Sequence, residues 1–203
     1  MARAVRKEQA RIEHPMTSER NPYAPPTVNV SPVRPAPGEG AEEEAPFFAV
    51  SIIKLSVMSV CTFGVYEVYW FYKNWQLIKT RREPYIMPFW RAIFAVFFCY
   101  QCFSRIREYD HPTVSLSSLA AGPLATGWIV LTALWRLPAP YGLISFFAFL
   151  FLLPVQHRVN EINSAVAPDH DPNAAFSWLN WIAVAVGAIL LLLTLVGAII
   201  QYR

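Results

Sequence analysis

The sequence predicts an all-α, polytopic helical membrane protein: a disordered Pro-rich tail over 1–46, then a helical membrane domain over 47–203 with four to five transmembrane helices. Three observations lead there. The 203 residues are 55% hydrophobic and only 15% charged, against roughly 25% charged in an ordinary soluble domain. The apolar residues are collected in blocks instead of falling at amphipathic spacing. The cleanest block, LNWIAVAVGAILLLLTLVGAII over 179–200, carries no charge and meets the length of about 20 residues that a helix needs to cross a hydrocarbon core.

Residues 1–46 hold eight prolines, six Lys or Arg and seven Asp or Glu, with little that is large and apolar beyond Tyr23. Such a segment buries too little surface to offset its ordering entropy, so it is expected to be disordered and dispensable for folding. The basic start MARAVRK is followed by no apolar stretch of signal-peptide length, and insertion is expected to rely on the internal helices. A chain beginning at Met16, just before the leader NPYAPP, is expected to insert normally.

The first apolar block, about 47–72, is interrupted by Lys54, Gly64 and Glu67, and leads into the most basic short loop of the chain, with Lys73, Lys79, Arg81 and Arg82. The second block, 89–103, includes Arg91 and would be about 22 Å long as a helix. It fits a short span, a re-entrant segment or a helix lying on the surface. The third, 116–135, carries Gly122-Pro123 near its middle, where the missing N–H predicts a kink. The fourth, 141–155, follows the short turn RLPAP and should pair with the third as an antiparallel hairpin. Beyond it, Val155, Val159, Ile162 and Val166 fall on one stripe of an amphipathic helix. Asp171-Pro172 then suits the start of a new turn leading to the last block.

Two orienting rules collide at the first block. The basic residues 73–82 belong in the cytoplasm, which exports the tail if the first block crosses, yet a tail with six basic groups more naturally stays inside. The conflict disappears if the first block is re-entrant or the second does not cross.

The stretch TFGVYEVYWFYKNW, 62–75, is half aromatic. Tyr66, Tyr69, Trp70 and Trp75, with Trp178 and Trp181 ahead of the last block, are read as an interfacial aromatic belt, the level where a ring with a polar tip is satisfied. Glu67 stands apart, because an acid two turns inside the polar end is costly against lipid. Lys54 lies on the wrong side of a straight helix to pair with it. Arg91 can reach it across a hairpin, so Glu67 and Arg91 are expected to pair, and Lys54, Glu67 and Arg91 form the candidate intramembrane polar site.

The 62–75 stretch, followed by PFWRAIFAVFFCYQCFSRI and later by VNEIN and AAFSWLNW, resembles a family of bacterial inner-membrane proteins whose domain has no assigned function. The leader NPYAPP is similar to one that opens several otherwise unrelated proteobacterial membrane proteins, some of the RDD type. The resemblance spans 21–26 and 47–200. It implies the bacterial cytoplasmic membrane and carries over no catalytic residue.

The net charge of +3 is too small and scattered for a nucleic-acid partner. Cys99 and Cys102 have C-x-x-C spacing but sit deep in an aromatic block, which reads as packing. No metal, cofactor or hydrolase motif is present in the sequence, and no cofactor or catalysis is expected. The expected partners are the lipid bilayer and other membrane proteins or a second copy, met through the small residues Ala183 and Gly187. The function expected is that of a non-catalytic membrane binding or organising protein. The alternative is a small transporter or channel with a polar path lined by Lys54, Glu67 and Arg91.

Overall fold

The computed structural model describes residues 44–114, 118–138 and 141–201. Among them all regular structure is helical, with no strand. The expectation for the tail falls on residues outside this set, except at its end. There it needs correction: Pro46 is buried and the Glu44 carbonyl accepts a hydrogen bond from the Arg81 guanidinium, so 44–46 belong to the folded body.

The first apolar block is not one helix. The chain runs without helical structure to Ser51, whose hydroxyl accepts the Lys54 N–H at 3.1 Å and so caps α1, Ile52–Cys61. At the other end of α1 the Phe63 N–H bonds the Val60 carbonyl (3.2 Å) and the Gly64 N–H bonds the Ser59 carbonyl (2.9 Å), the paired closure of a Schellman motif. Phe63 (φ 53°) and Gly64 (φ 83°) are both left-handed. Glycine adopts that conformation freely, whereas a side chain there costs roughly 1–2 kcal/mol. The turn sends the chain back along itself as α2, Val65–Arg81. Phe48 thus lies beside Asn74 and Tyr69, and Glu44 beside Arg81.

The second block also doubles back. It forms α3, Pro88–Ile93, and α4, Ala95–Arg107, parted at Phe94. Ala92 and Ala95 line the same space as Glu67, while at the far end of α4 Arg105 meets Glu83 at 2.5 Å and Arg82 lies over the Tyr109 ring at 5.1 Å. The 89–103 stretch is thus two helical arms parted at Phe94 and not one helix.

The third hairpin matches the expected pairing with different arms. α5 is Ala121–Ala133, so Pro123 occupies the first turn, where its missing N–H has no intrahelical partner to lose. The kink expected in mid-block is therefore replaced by a helix start. A 3-10 turn, Leu134–Arg136, ends this arm. The return arm is a 3-10 helix, Tyr141–Phe151, continued by α6, Leu153–Val166. Gly127 lies so close to the Phe151 ring that a Cβ would overlap it. The stripe Val155, Val159, Ile162 and Val166 faces the core.

The last helix, α7, is Trp178–Gln201, about 36 Å long. Two stretches, Tyr141–Val166 and Trp178–Ile200, are long and apolar enough to cross a membrane. One stripe of α7 packs inward through Ala183, Val184 and Gly187, and Gly187 touches α1 so closely that a Cβ would overlap the Cys61 carbonyl. Ala183 and Gly187 thus pack within the chain.

The core centres on α2. Trp70, Phe71 and Trp75 have no exposed surface, and Phe71 stacks on Phe103 and meets Trp128 edge-on. The aromatic belt accordingly divides. Tyr66, Trp70 and Trp75 are core residues: Trp70 meets Phe103 of α4 and Gln156 of α6, Trp75 lies under Arg91 of α3, and Tyr66 faces the segment ahead of α7. Tyr69, Trp178 and Trp181 are 45%, 70% and 61% exposed and remain available to an interface.

Candidate functional site

The tips of the three hairpins, at Thr62–Gly64, at Phe94 and between Arg136 and Tyr141, gather round one cavity of about 540 Å³. The first hairpin contributes Ser59, Phe63, Glu67 and Val68; the second Ala92, Ile93, Ala95 and Val96; the third Trp128, Thr132, Trp135, Ser145, Phe146 and Ala148. Thr194 of α7 joins them. The walls are mostly apolar and aromatic, with a few polar groups, the composition usual for a small-ligand site.

Glu67 is the one acid there. It lies in the first turn of α2, where the positive end of the helix dipole favours a carboxylate, and it is only 5% exposed. Its Oε2 accepts the Trp128 indole N–H at 2.5 Å. Among the described residues Oε1 takes no hydrogen bond and no cation pairs with the carboxyl. Ser59 and Thr132 likewise each hold a buried hydroxyl without a hydrogen-bond partner. Buried polar atoms are mostly satisfied, so these two hydroxyls, with the Glu67 carboxyl lining the same cavity, leave polar groups there free for a further partner.

The expected pair of Glu67 with Arg91 is not formed. Arg91 lies over the ring of Trp75 at 4.5 Å and of Phe98 at 5.3 Å, and donates to the Gln101 side chain at 3.3 Å. Trp75 is two turns along α2 from Glu67, and an indole face beside an amide oxygen satisfies a guanidinium without a carboxylate. Lys54 is elsewhere again. Its ammonium donates to the Asn173 side chain and the Ala175 carbonyl, both at 2.7 Å, fastening the segment ahead of α7 to α1. The structure thus brings Glu67 to the cavity and separates the other two members of the candidate polar site from it.

Residue-type reasoning passed over a second set of polar groups. The non-helical segment before α1 cannot satisfy its backbone by helical bonding, and buried peptide groups need partners. Side-chain amides supply them. Asn163 accepts the Phe47 N–H at 3.1 Å and donates to the Phe47 carbonyl at 3.0 Å. Asn74 accepts the Phe48 N–H at 3.2 Å, and Asn173 donates to the Ala49 carbonyl at 3.1 Å. Gln156 donates to the Phe48 and Val50 carbonyls, both at 3.2 Å, while its oxygen accepts the Trp70 indole N–H. The asparagines of VNEIN and Gln156 recur at i and i+4 or i+7 on α6, a spacing that places them on one face. That was the available signal.

Cys99 and Cys102 are both fully buried. Among the described residues no three His, Cys, Asp or Glu gather closely enough to hold a metal ion. No family model, no curated protein and no solved structure matches the chain.

Proposed function

We propose that the chain is an integral protein of the bacterial cytoplasmic membrane that binds a membrane component in the hairpin-tip cavity and carries out no chemistry on it. The observation that supports this reading is the combination, in one place, of an apolar cavity and the uncompensated Glu67 carboxyl. Of the other buried polar side chains, Lys54, Asn74, Gln156 and Asn163 already brace the backbone.

In this reading the end of the molecule carrying Arg81, Arg82, Arg105 and Glu44 faces the cytoplasm. The first and second hairpins dip into the bilayer and return to that face. The arms Ala121–Arg136 and Tyr141–Val166 cross, as does α7. The four to five membrane segments expected from the sequence are then three crossings and two re-entrant hairpins. The tail leaves on the same face as the basic loop, which removes the conflict between the orienting rules.

A transporter or channel has less support, because Lys54, Glu67 and Arg91 line no common path. Native mass spectrometry of the protein extracted in mild detergent tests the reading. A retained amphiphile is expected, and Val68→Trp, which fills the cavity from a half-exposed wall position, should remove it. An empty protein that raises ion flux in vesicles would overturn binding in favour of transport.

A further inference from the structure

We propose that the hairpin-tip cavity selects an amphiphile with an ammonium head group, the head set against Glu67 and the apolar chain along the hairpin tips. This deepens the binding reading above and rests on it.

The charge of the ligand follows from what the cavity lacks. A carboxyl that is 5% exposed sits in an apolar site, and buried charges of that kind are paired in stable structures. The two cations of the candidate polar site are engaged elsewhere, Lys54 with Asn173 and Ala175, and Arg91 with Trp75 and Gln101, and among the described residues no other cation pairs with the carboxyl. A carboxyl so placed is held neutral by a proton or is met by a cation, and the open cavity beside it gives an outside cation access. Trp128 occupies only one carboxyl oxygen, so the other stays open to an N–H donor.

The walls select in the same direction. Trp128, Trp135, Phe63 and Phe146 line the same cavity as the acid, and aromatic faces attract an ammonium or a quaternary nitrogen. An anionic head group would meet Glu67 with no cation to offset it, and a neutral one would leave the carboxyl unpaired. The apolar walls and a volume of about 540 Å³ suit an alkyl chain more than a small hydrated amine. Phe63, held at φ 53° on the rim and edge-on to Phe146 at 5.2 Å, is a side chain kept in a costly conformation at the site. Such strain is commonly found where a ligand is clamped. The ammonium can belong to a lipid head group or to a free long-chain amine, and the chemistry at Glu67 is the same.

The test uses the full chain in nanodiscs of a neutral, nitrogen-free glycolipid, titrated with dodecylammonium and, separately, with the neutral dodecanol. Dodecylammonium should bind saturably and about tenfold tighter, the effect of one charge-assisted hydrogen bond. Glu67→Gln, which keeps an acceptor for Trp128, should abolish that preference. Repeating the titration in phosphatidylethanolamine nanodiscs separates the sources: competition assigns the site to a lipid head group, and undiminished binding assigns it to a free amine. Equal affinity of the unaltered protein for the two probes overturns the inference while leaving the cavity reading intact, and this comparison needs no variant. A preference that survives Glu67→Gln also overturns it. Failure of both probes to bind overturns the inference and the cavity reading together.

Discussion

Asn163 reads the backbone of Phe47 as a neighbouring strand would, taking its N–H at 3.1 Å and returning an N–H to its carbonyl at 3.0 Å. The two residues are 116 positions apart, so this one amide ties the start of the folded body to the end of the third hairpin. Asn163→Ala should leave two buried peptide groups unpaired and lower stability by about 1–3 kcal/mol for each. Thermal unfolding in detergent reads the loss. Asn163→Asp keeps the acceptor but sets a buried carboxylate against the Phe47 carbonyl, and should lose more than the alanine variant, whereas equal losses would place the effect in packing.

The close approach of Gly187 to Cys61 yields a second expectation. Gly187→Ala pushes a methyl group into backbone, which cannot move aside as a flexible side chain would, and α7 should detach or shift with a marked fall in unfolding temperature. Gly197→Ala, on the same helix with open space around it, should be neutral or stabilising by up to about 1 kcal/mol through helix propensity. Similar losses at both positions would remove the contact from the explanation.

Glu67 and Arg91 provide a double-mutant test of the corrected geometry. Since the two share no partner, the losses from Glu67→Gln and Arg91→Leu should add to within about 0.5 kcal/mol. Recovery in the double variant would restore the direct pair.

Orientation is checked by cysteine accessibility. Thr80→Cys and Asp110→Cys, at the basic end, should react with an impermeant reagent only when the cytoplasmic face is exposed, and Leu137→Cys, at the third tip, only from the other side. Labelling of positions 80 and 137 from one side would mean that the third hairpin does not cross.

Much of this was legible beforehand and some was not, for physical reasons. The helical class, the pairing of the third and fourth blocks, the inward stripe of α6 and the oddity of Glu67 all follow from local composition and period. Whether an apolar block is one crossing or two arms does not. Hydropathy records exclusion from water and cannot tell lipid from protein, so Trp70 and Trp75 look like belt residues until α3 and α4 are laid over them. The break after α1 rested on Gly64 together with a strained Phe63, and no local preference of phenylalanine announces that. The amide clamp was obscured for a similar reason. Asparagine near a membrane surface usually meets water, and only the tertiary fold puts peptide groups within its reach.

The direct measurement of the cavity is photo-crosslinking in intact membranes from a photoreactive residue at position 145, on the cavity wall, compared with position 147, which faces outward. Adducts at 147 should sample the bilayer in proportion to its composition, whereas adducts at 145 should be dominated by one class of amphiphile, out of proportion to its abundance. The same adduct profile at both positions would contradict a selective cavity and reduce the hairpin tips to ordinary lipid-exposed surface.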